Sequence, residues 1–245
     1  MTVNQTGHER HALVTGGSSG IGLSICQVLV ASGWNVVNFD IQAPPSAVEG
    51  EFVQVDMSDS DALARAVTRI CGGRPVLGLV NNVAAIRPAS IDDTRLVDFD
   101  LQLSVTARAA LQCTQAVLPA MRAAQHGRIV NITSRAALGK ELRSGYSAAK
   151  GALNALTRTW ALELAADGIT VNAVAPGPIA TQAFTKANPP DSPRTQRIAK
   201  NIPVQRFGDP SEVAHAVDCF MHAKASFITG QVLYVCGGMT VGLAS

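Results

Sequence analysis

The stretch that decides the fold is His11-Ala-Leu-Val-Thr15 running straight into Gly16-Gly-Ser-Ser-Gly-Ile-Gly22. Five residues of mostly apolar character read as a buried strand. The glycines that follow let the backbone turn sharply, and the pattern from Gly20 to Ser32 reads as a helix that stops at Gly33. A strand, a glycine-rich turn and a helix N-terminus bring free backbone N–H groups together where a phosphate can lie. Gly16, Ser18, Ser19, Gly20, Ile21 and Gly22 are therefore candidate contacts to a dinucleotide.

Outward from this unit the alternation repeats. Strands are expected at Trp34–Phe39, Phe52–Val55, Val76–Val80, Gly127–Ile132, Ile169–Val174 and Gln231–Val235. Helical patterns fall between them. One opens with Ser58 or Asp59 as its cap, one runs from Leu96 to Ala124 with a kink expected at Pro119, and one reaches Asp167 before Gly168. Continuous apolar strands separated by helices predict a single parallel sheet covered on both faces. The stretch from Pro176 to Phe207 reads as an irregular connection, and connections of that length are usually mobile or functional.

Asp40 closes the second strand, about twenty residues after the glycine loop. A carboxylate there suits a ribose 2′-hydroxyl and repels a 2′-phosphate, which favours NAD over NADP. Tyr146 and Lys150, in Ser144-Gly-Tyr-Ser-Ala-Ala-Lys150, stand one helical turn apart on one face. A nearby ammonium is expected to lower the pKa of the phenol and so make Tyr146 usable as an acid or base.

Bulk properties narrow the classes. The 245 residues are 47% hydrophobic and 16% charged with a net charge of +2, which fits one globular domain and argues against a nucleic-acid or anionic-membrane partner. The segment 1–10 is polar and reads as a flexible N-terminal stretch ahead of one domain over 11–245. No apolar run is long enough to cross a bilayer. Five cysteines without paired spacing fit reduced thiols in a cytoplasmic protein and no metal site.

Taken in order, these motifs resemble the short-chain dehydrogenase/reductase family over nearly the whole chain. Thr15, Gly16, Gly20 and Gly22 match its glycine pattern. Asn81-Asn-Val-Ala84 stands at its Asn-Asn-Ala-Gly segment, and Asn131-Ile-Thr-Ser134 at the segment presenting its serine. Tyr146 and Lys150 match Tyr-x-x-x-Lys, and Val171 to Thr181 matches the loop behind the nicotinamide. Phe227 to Gln231 and Gly237-Gly238 match its C-terminal pattern.

The resemblance implies a Rossmann-type, doubly wound α/β fold with a seven-stranded parallel sheet. It implies Ser134, Tyr146 and Lys150 as catalytic residues. It implies cofactor contacts from the glycine loop, Asp40, Asp56, Met57, Asn82, Val83, Ala84, Tyr146, Lys150, Pro176, Gly177, Ile179 and Thr181. It implies hydride transfer between NAD(H) and a secondary alcohol or ketone, with a substrate loop near 181–207. The pocket would be lined by 82–87, 135–143 and the loop after Thr181, whose cations could meet an acidic or thioester substrate such as an acyl carrier, with Arg135 an alternative contact for a carboxylate. A 3-oxoacyl-thioester reductase using NADPH and a cofactor-binding regulator without turnover are the alternatives. Small residues Ala148, Ala152 and Ala155 on the Tyr146 helix permit close helix packing, which the resemblance implies is between subunits, so a homotetramer is expected, with a dimer as fallback.

Two positions depart from the family pattern. Ala84, preceded by Val83, stands where the family has glycine, and extra methyl groups could crowd or alter that turn. Thr106 stands where the family has an asparagine that holds a water behind the lysine, and its hydroxyl is expected to bond to its own helix.

Overall fold

The computed structural model describes residues 10–45 and 50–242. The N-terminal stretch read as flexible falls, but for Arg10, outside them. Seven strands form one sheet, β1 (His11–Thr15), β2 (Asn35–Asp40), β3 (Glu51–Gln54), β4 (Val76–Asn81), β5 (Gly127–Ile132), β6 (Ile169–Pro176) and β7 (Val232–Val235). The order is β3-β2-β1-β4-β5-β6-β7, and every pairing is parallel. All residues of β4, β5 and β6 are buried, as expected for strands covered on both faces.

Helix α1 (Gly20–Ala31) packs against β1, β2 and α8 (Pro210–Met221). On the other side lie α2 (Ser60–Gly73), α4 (Ala109–Ala123) and α5 (Ser144–Leu164), with α4 against β4 and β5 and α5 against β5 and β6. The strand order reverses between β1 and β4. Their C-terminal ends therefore open a crevice, the place where such sheets receive ligands.

Of the two proposed caps of α2, Asp59 is the one used. Its carboxylate accepts from the N–H groups of Asp61 and Ala62. The long helical pattern is divided, but not at Pro119, which α4 carries in its interior. A π-helical turn at Ser104–Arg108 separates α3 (Leu96–Leu103) from α4. The connection read as irregular contains α6 (Gln182–Ala187) and α7 (Pro193–Lys200), capped by Thr181 and Ser192. Helix α8 lies where the sequence reading names no element. Its start is nonetheless written in Asp209-Pro-Ser-Glu212, which forms a full capping box with proline in the first turn.

Candidate active site

The glycine loop joins β1 to α1 at the crevice. Gly22 has no room for a side chain, because a Cβ there would lie 1.9 Å from the Gly16 carbonyl oxygen. Gly20 adopts φ +51°, and a Cβ on it would sit 3.1 Å from Thr181 Cγ2. The loop after β6 thus lies directly over the glycine turn. Ser19 caps α1 through its backbone only, and no acidic residue occupies the first turn. The N-terminal N–H groups of α1 therefore meet neither a capping side chain nor a repelling carboxylate, and the cradle fits a phosphate.

Neighbouring strand ends hold the loop in place. Asn82 Nδ2 donates to the carbonyls of Thr15 and Gly16 at 2.9 and 3.0 Å, and the Asn82 and Val83 N–H groups donate to Thr15 Oγ1. Asn38 Oδ1 accepts from Gly17 N, and Asp40 Oδ2 accepts from Ser18 N at 3.0 Å. Asp40 therefore stands at the edge of the phosphate cradle. Ala84 has no positive φ, so its methyl group imposes no backbone strain in place of glycine.

At the end of β6, Gly177 N donates to Val235 O. Buried Ile179 bridges to Gly208, and Thr181 Oγ1 accepts from Phe184 N. Asp56 and Met57 stand apart from this network. Asp56 Oδ1 accepts from the N–H and hydroxyl of Ser58, and Met57 is buried.

The catalytic candidates meet at the same edge of the sheet. Ser134 follows β5 and caps a short 3-10 turn (Arg135–Leu138), accepting from Ala136 N at 3.1 Å. The Ser134 side chain acts on the Tyr146 phenol and favours its ionised form. Lys150 is 1% exposed, and its Nζ lies 5.8 Å from the centre of the Tyr146 ring and donates to Ile132 O at 2.6 Å. Burial lowers the Lys150 pKa to about 7. Burial raises that of Tyr146, against smaller lowering effects from Ser134 and Arg143. The expectation that Lys150 lowers the phenol's pKa is thus not met. Desolvation dominates, and it pushes both groups toward their neutral forms.

Thr106 falls inside the π turn, 2% exposed, with its hydroxyl unpartnered. The expected bond to its own helix is absent, because a π turn shifts the carbonyls that a threonine would otherwise reach one turn back.

One feature that sequence reasoning missed is a buried polar ladder. Asn81 Nδ2 donates to Asn131 Oδ1, Asn131 Nδ2 to Thr157 Oγ1, and Thr157 Oγ1 to Leu153 O. It ties β4 and β5 to the helix carrying Tyr146 and Lys150. The available signal was asparagine within mostly apolar strands, since buried amides need partners. Gln102 does similar work. It is buried, accepts from Arg87 N and donates to Asp98 O, holding the segment after Ala84 against α3. Among the described residues, no cluster of three or more His, Cys, Asp or Glu could hold a metal.

Residues 16–240 match the family model described as enoyl-(acyl carrier protein) reductase. The chain is 35% identical over 95% of its length to subunit BbsD of (2S)-[(R)-hydroxy(phenyl)methyl]succinyl-CoA dehydrogenase from Thauera aromatica, covering 97% of that protein. It is 34% identical to the 3-oxoacyl-[acyl-carrier-protein] reductase FabG of Staphylococcus epidermidis, covering 94% of this chain and 98% of that one. Among solved structures, a 3-oxoacyl (acyl-carrier-protein) reductase from Agrobacterium tumefaciens with NADP bound superposes with a TM-score of 0.87 at 28% identity, over 94% of each chain. The glycine cradle at the strand crossover, the serine–tyrosine–lysine cluster beside it and these matches together place the chain in the short-chain dehydrogenase/reductase family of NAD(P)-dependent oxidoreductases.

Proposed function

We propose that this enzyme interconverts a secondary alcohol and its ketone with NAD(H), using Ser134, Tyr146 and Lys150. The observation that carries the reading is the Tyr146–Lys150 pair, with Lys150 buried, its Nζ 5.8 Å from the Tyr146 ring and bonded to Ile132 O, and Ser134 just after β5, at the sheet edge that also bears the glycine cradle. The bound nicotinamide nucleotide supplies the hydride acceptor or donor. Tyr146 takes the alcohol proton in oxidation and returns it in reduction. Ser134 holds the substrate oxygen and stabilises charge developing on it. Lys150, fixed by Ile132 O, supports Tyr146 from behind and holds the ribose hydroxyls. Gly16, Ser18, Ser19, Gly20, Ile21 and Gly22 cradle the pyrophosphate. Asp56 and Met57 serve the adenine, and Asn82, Val83 and Ala84 the adenosine side. Pro176, Gly177, Ile179 and Thr181 back the nicotinamide.

Asp40 supports NAD. Its carboxylate lies against Ser18 N, where a 2′-phosphate would meet a negative charge. The relatives that reduce 3-oxoacyl carriers, one of them with NADP bound, favour the second reading, an NADPH-dependent 3-oxoacyl-thioester reductase. Helices α6 and α7 form the substrate loop, closed at its base by the edge-on contact of Phe184 with Phe207. A homotetramer in the cytoplasm fits the small exposed residues along α5 and five unpaired cysteines. No described helix is long and apolar enough to cross a membrane.

The test is a panel of secondary alcohols, ketones and 3-oxoacyl thioesters assayed with both cofactors, on the wild type and Tyr146→Phe. The wild type should turn over alcohols with NAD and bind NAD more tightly than NADP. The phenylalanine variant should still bind cofactor and lose at least ~10²-fold in kcat. Normal turnover by that variant would end the mechanism, and a preference for NADPH with thioesters would install the second reading.

A further inference from the structure

Gln102 lies in the last turn of α3 and is 1% exposed. A buried amide persists only where its polar atoms find partners. Its Nε2 donates to Asp98 O, one turn back, at 3.0 Å, which pins the amide to its own helix. Its Oε1 accepts from Arg87 N at 3.0 Å. The Arg87 guanidinium lies 4.0 Å from the carboxylate of the same Asp98. Two contacts thus fix the segment after Ala84 to this turn of α3.

The same amide also meets the helix that carries Tyr146. A Cβ on Gly145 would lie 2.4 Å from Gln102 Nε2 and 3.3 Å from Phe99 Cα. Gly145 is buried in the first turn of α5, and its φ is not positive. The glycine is therefore required by room and not by backbone conformation. The two segments meet again just upstream. There Ala89 N donates to Leu142 O at 3.2 Å, and Ala89 bridges to Arg143, the cap of α5. Gln102 is wedged between the chain that follows Asn82–Ala84 and the residue before Tyr146.

We infer that Gln102 is a positioning residue for hydride transfer, setting how the first turn of α5 presents Tyr146 against the segment after Ala84. It touches no reacting atom and acts through Gly145 and Arg87. The inference rests on the alcohol–ketone reading above, in which Tyr146 exchanges the proton. An ordinary carbon contact is ~3.5–4 Å, so a side chain at 145 demands about 1 Å of movement. Gln102 is not free to swing aside, because the swing breaks its bonds to Arg87 and Asp98. The body of α5 is anchored to β5, through Lys150 to Ile132 O and through Thr157 to Asn131. The movement therefore falls on the first turn, and Tyr146 moves with it. Misplacing a reacting group by about 1 Å costs ~10²-fold in rate.

The experiment measures kcat per cofactor-binding site, KM and cofactor Kd with the best alcohol of the panel. The proteins are wild type, Gln102→Met, Gly145→Ala, Gln102→Ala and the double variant Gln102→Ala/Gly145→Ala. Titration with the reduced cofactor counts the sites, so unfolded protein does not enter kcat. Gln102→Met keeps the bulk and removes both hydrogen bonds. It should lower kcat ~10-fold or more while cofactor Kd holds. Gly145→Ala should do the same, because its methyl group drives the turn away from Gln102. Gln102→Ala clears the space that this methyl needs. The double variant should therefore be no slower than Gln102→Ala alone, a coupling that independent sites do not show. Wild-type kcat per site in Gln102→Met or in Gly145→Ala, or a double variant whose losses multiply, would overturn the inference and leave hydride transfer standing. No turnover by the wild type with any member of the panel would overturn the hydride-transfer reading, and the inference with it.

Discussion

Lys150 has the most consequential environment of any single side chain. A buried ammonium with one carbonyl partner is poorly solvated, which is why its pKa falls to about 7 from an unfolded value near ~10.4. The sign of the effect on stability follows. Between those two values the unfolded chain binds the extra proton, so stability rises with pH across that window. Below 7 both states are protonated and the full penalty remains. Lys150→Met in the ligand-free protein should therefore raise the melting temperature relative to wild type more at pH 6 than at pH 9. A thermal melt of both proteins at both values checks it, and an equal or reversed difference would refute the burial argument. The spacing of Tyr146 and Lys150 was legible in the sequence, because helical periodicity alone puts them on one face. The bond from Lys150 to Ile132, and the dominance of desolvation over charge, were not. Both depend on how closely α5 lies against β5, which no local pattern encodes.

Among the elements, the π turn at Ser104–Arg108 is the most informative. The apolar pattern runs on through Leu96 to Ala124, so an inserted residue leaves no clear break in periodicity, and only the fold reveals it. Proline at 119 offered the more visible signal and proved compatible with a continuing helix. The turn leaves the Thr106 hydroxyl buried without a partner, a state that costs roughly 1–3 kcal/mol. Thr106→Val keeps the shape and removes the hydroxyl. It should be neutral or stabilising by up to ~2 kcal/mol in denaturant unfolding of the ligand-free enzyme. A loss of more than ~1 kcal/mol would mean that the hydroxyl has a partner, such as a bound water. Helix α8 teaches the opposite lesson, since Asp209, Pro210 and Glu212 announce its start plainly. Helices α6 and α7 are only six and eight residues long, too short for periodicity to separate them from an irregular connection.

For the whole molecule, the parallel doubly wound sheet was legible because its strands are short and apolar and alternate with amphipathic segments. Strand order was not, since the reversal between β1 and β4 is a property of three dimensions. The surface then argues for self-association. The face of α5 turned toward the sheet is buried, at Ala149, Leu153, Thr157, Trp160, Ala161 and Leu164. The opposite face carries Ala148, Ala155 and Leu162, all exposed, with half-buried Ala152 and Gly151 beside them. A Cβ on Gly151 would meet nothing within 4 Å. Packing against the chain's own sheet therefore does not account for these small residues. A second apolar surface lies by the edge strand β7, with Phe227 fully exposed and Leu233 44% exposed. Two distinct self-complementary surfaces generate a closed tetramer, whereas one generates a dimer. Light scattering after gel filtration should thus give four times the 25.5 kDa chain mass. Ala155→Glu sets a charge into the α5 face without touching the β7 surface, so it should yield a folded dimer rather than a monomer. A wild-type monomer, or a tetramer that survives Ala155→Glu, would remove α5 from the assembly.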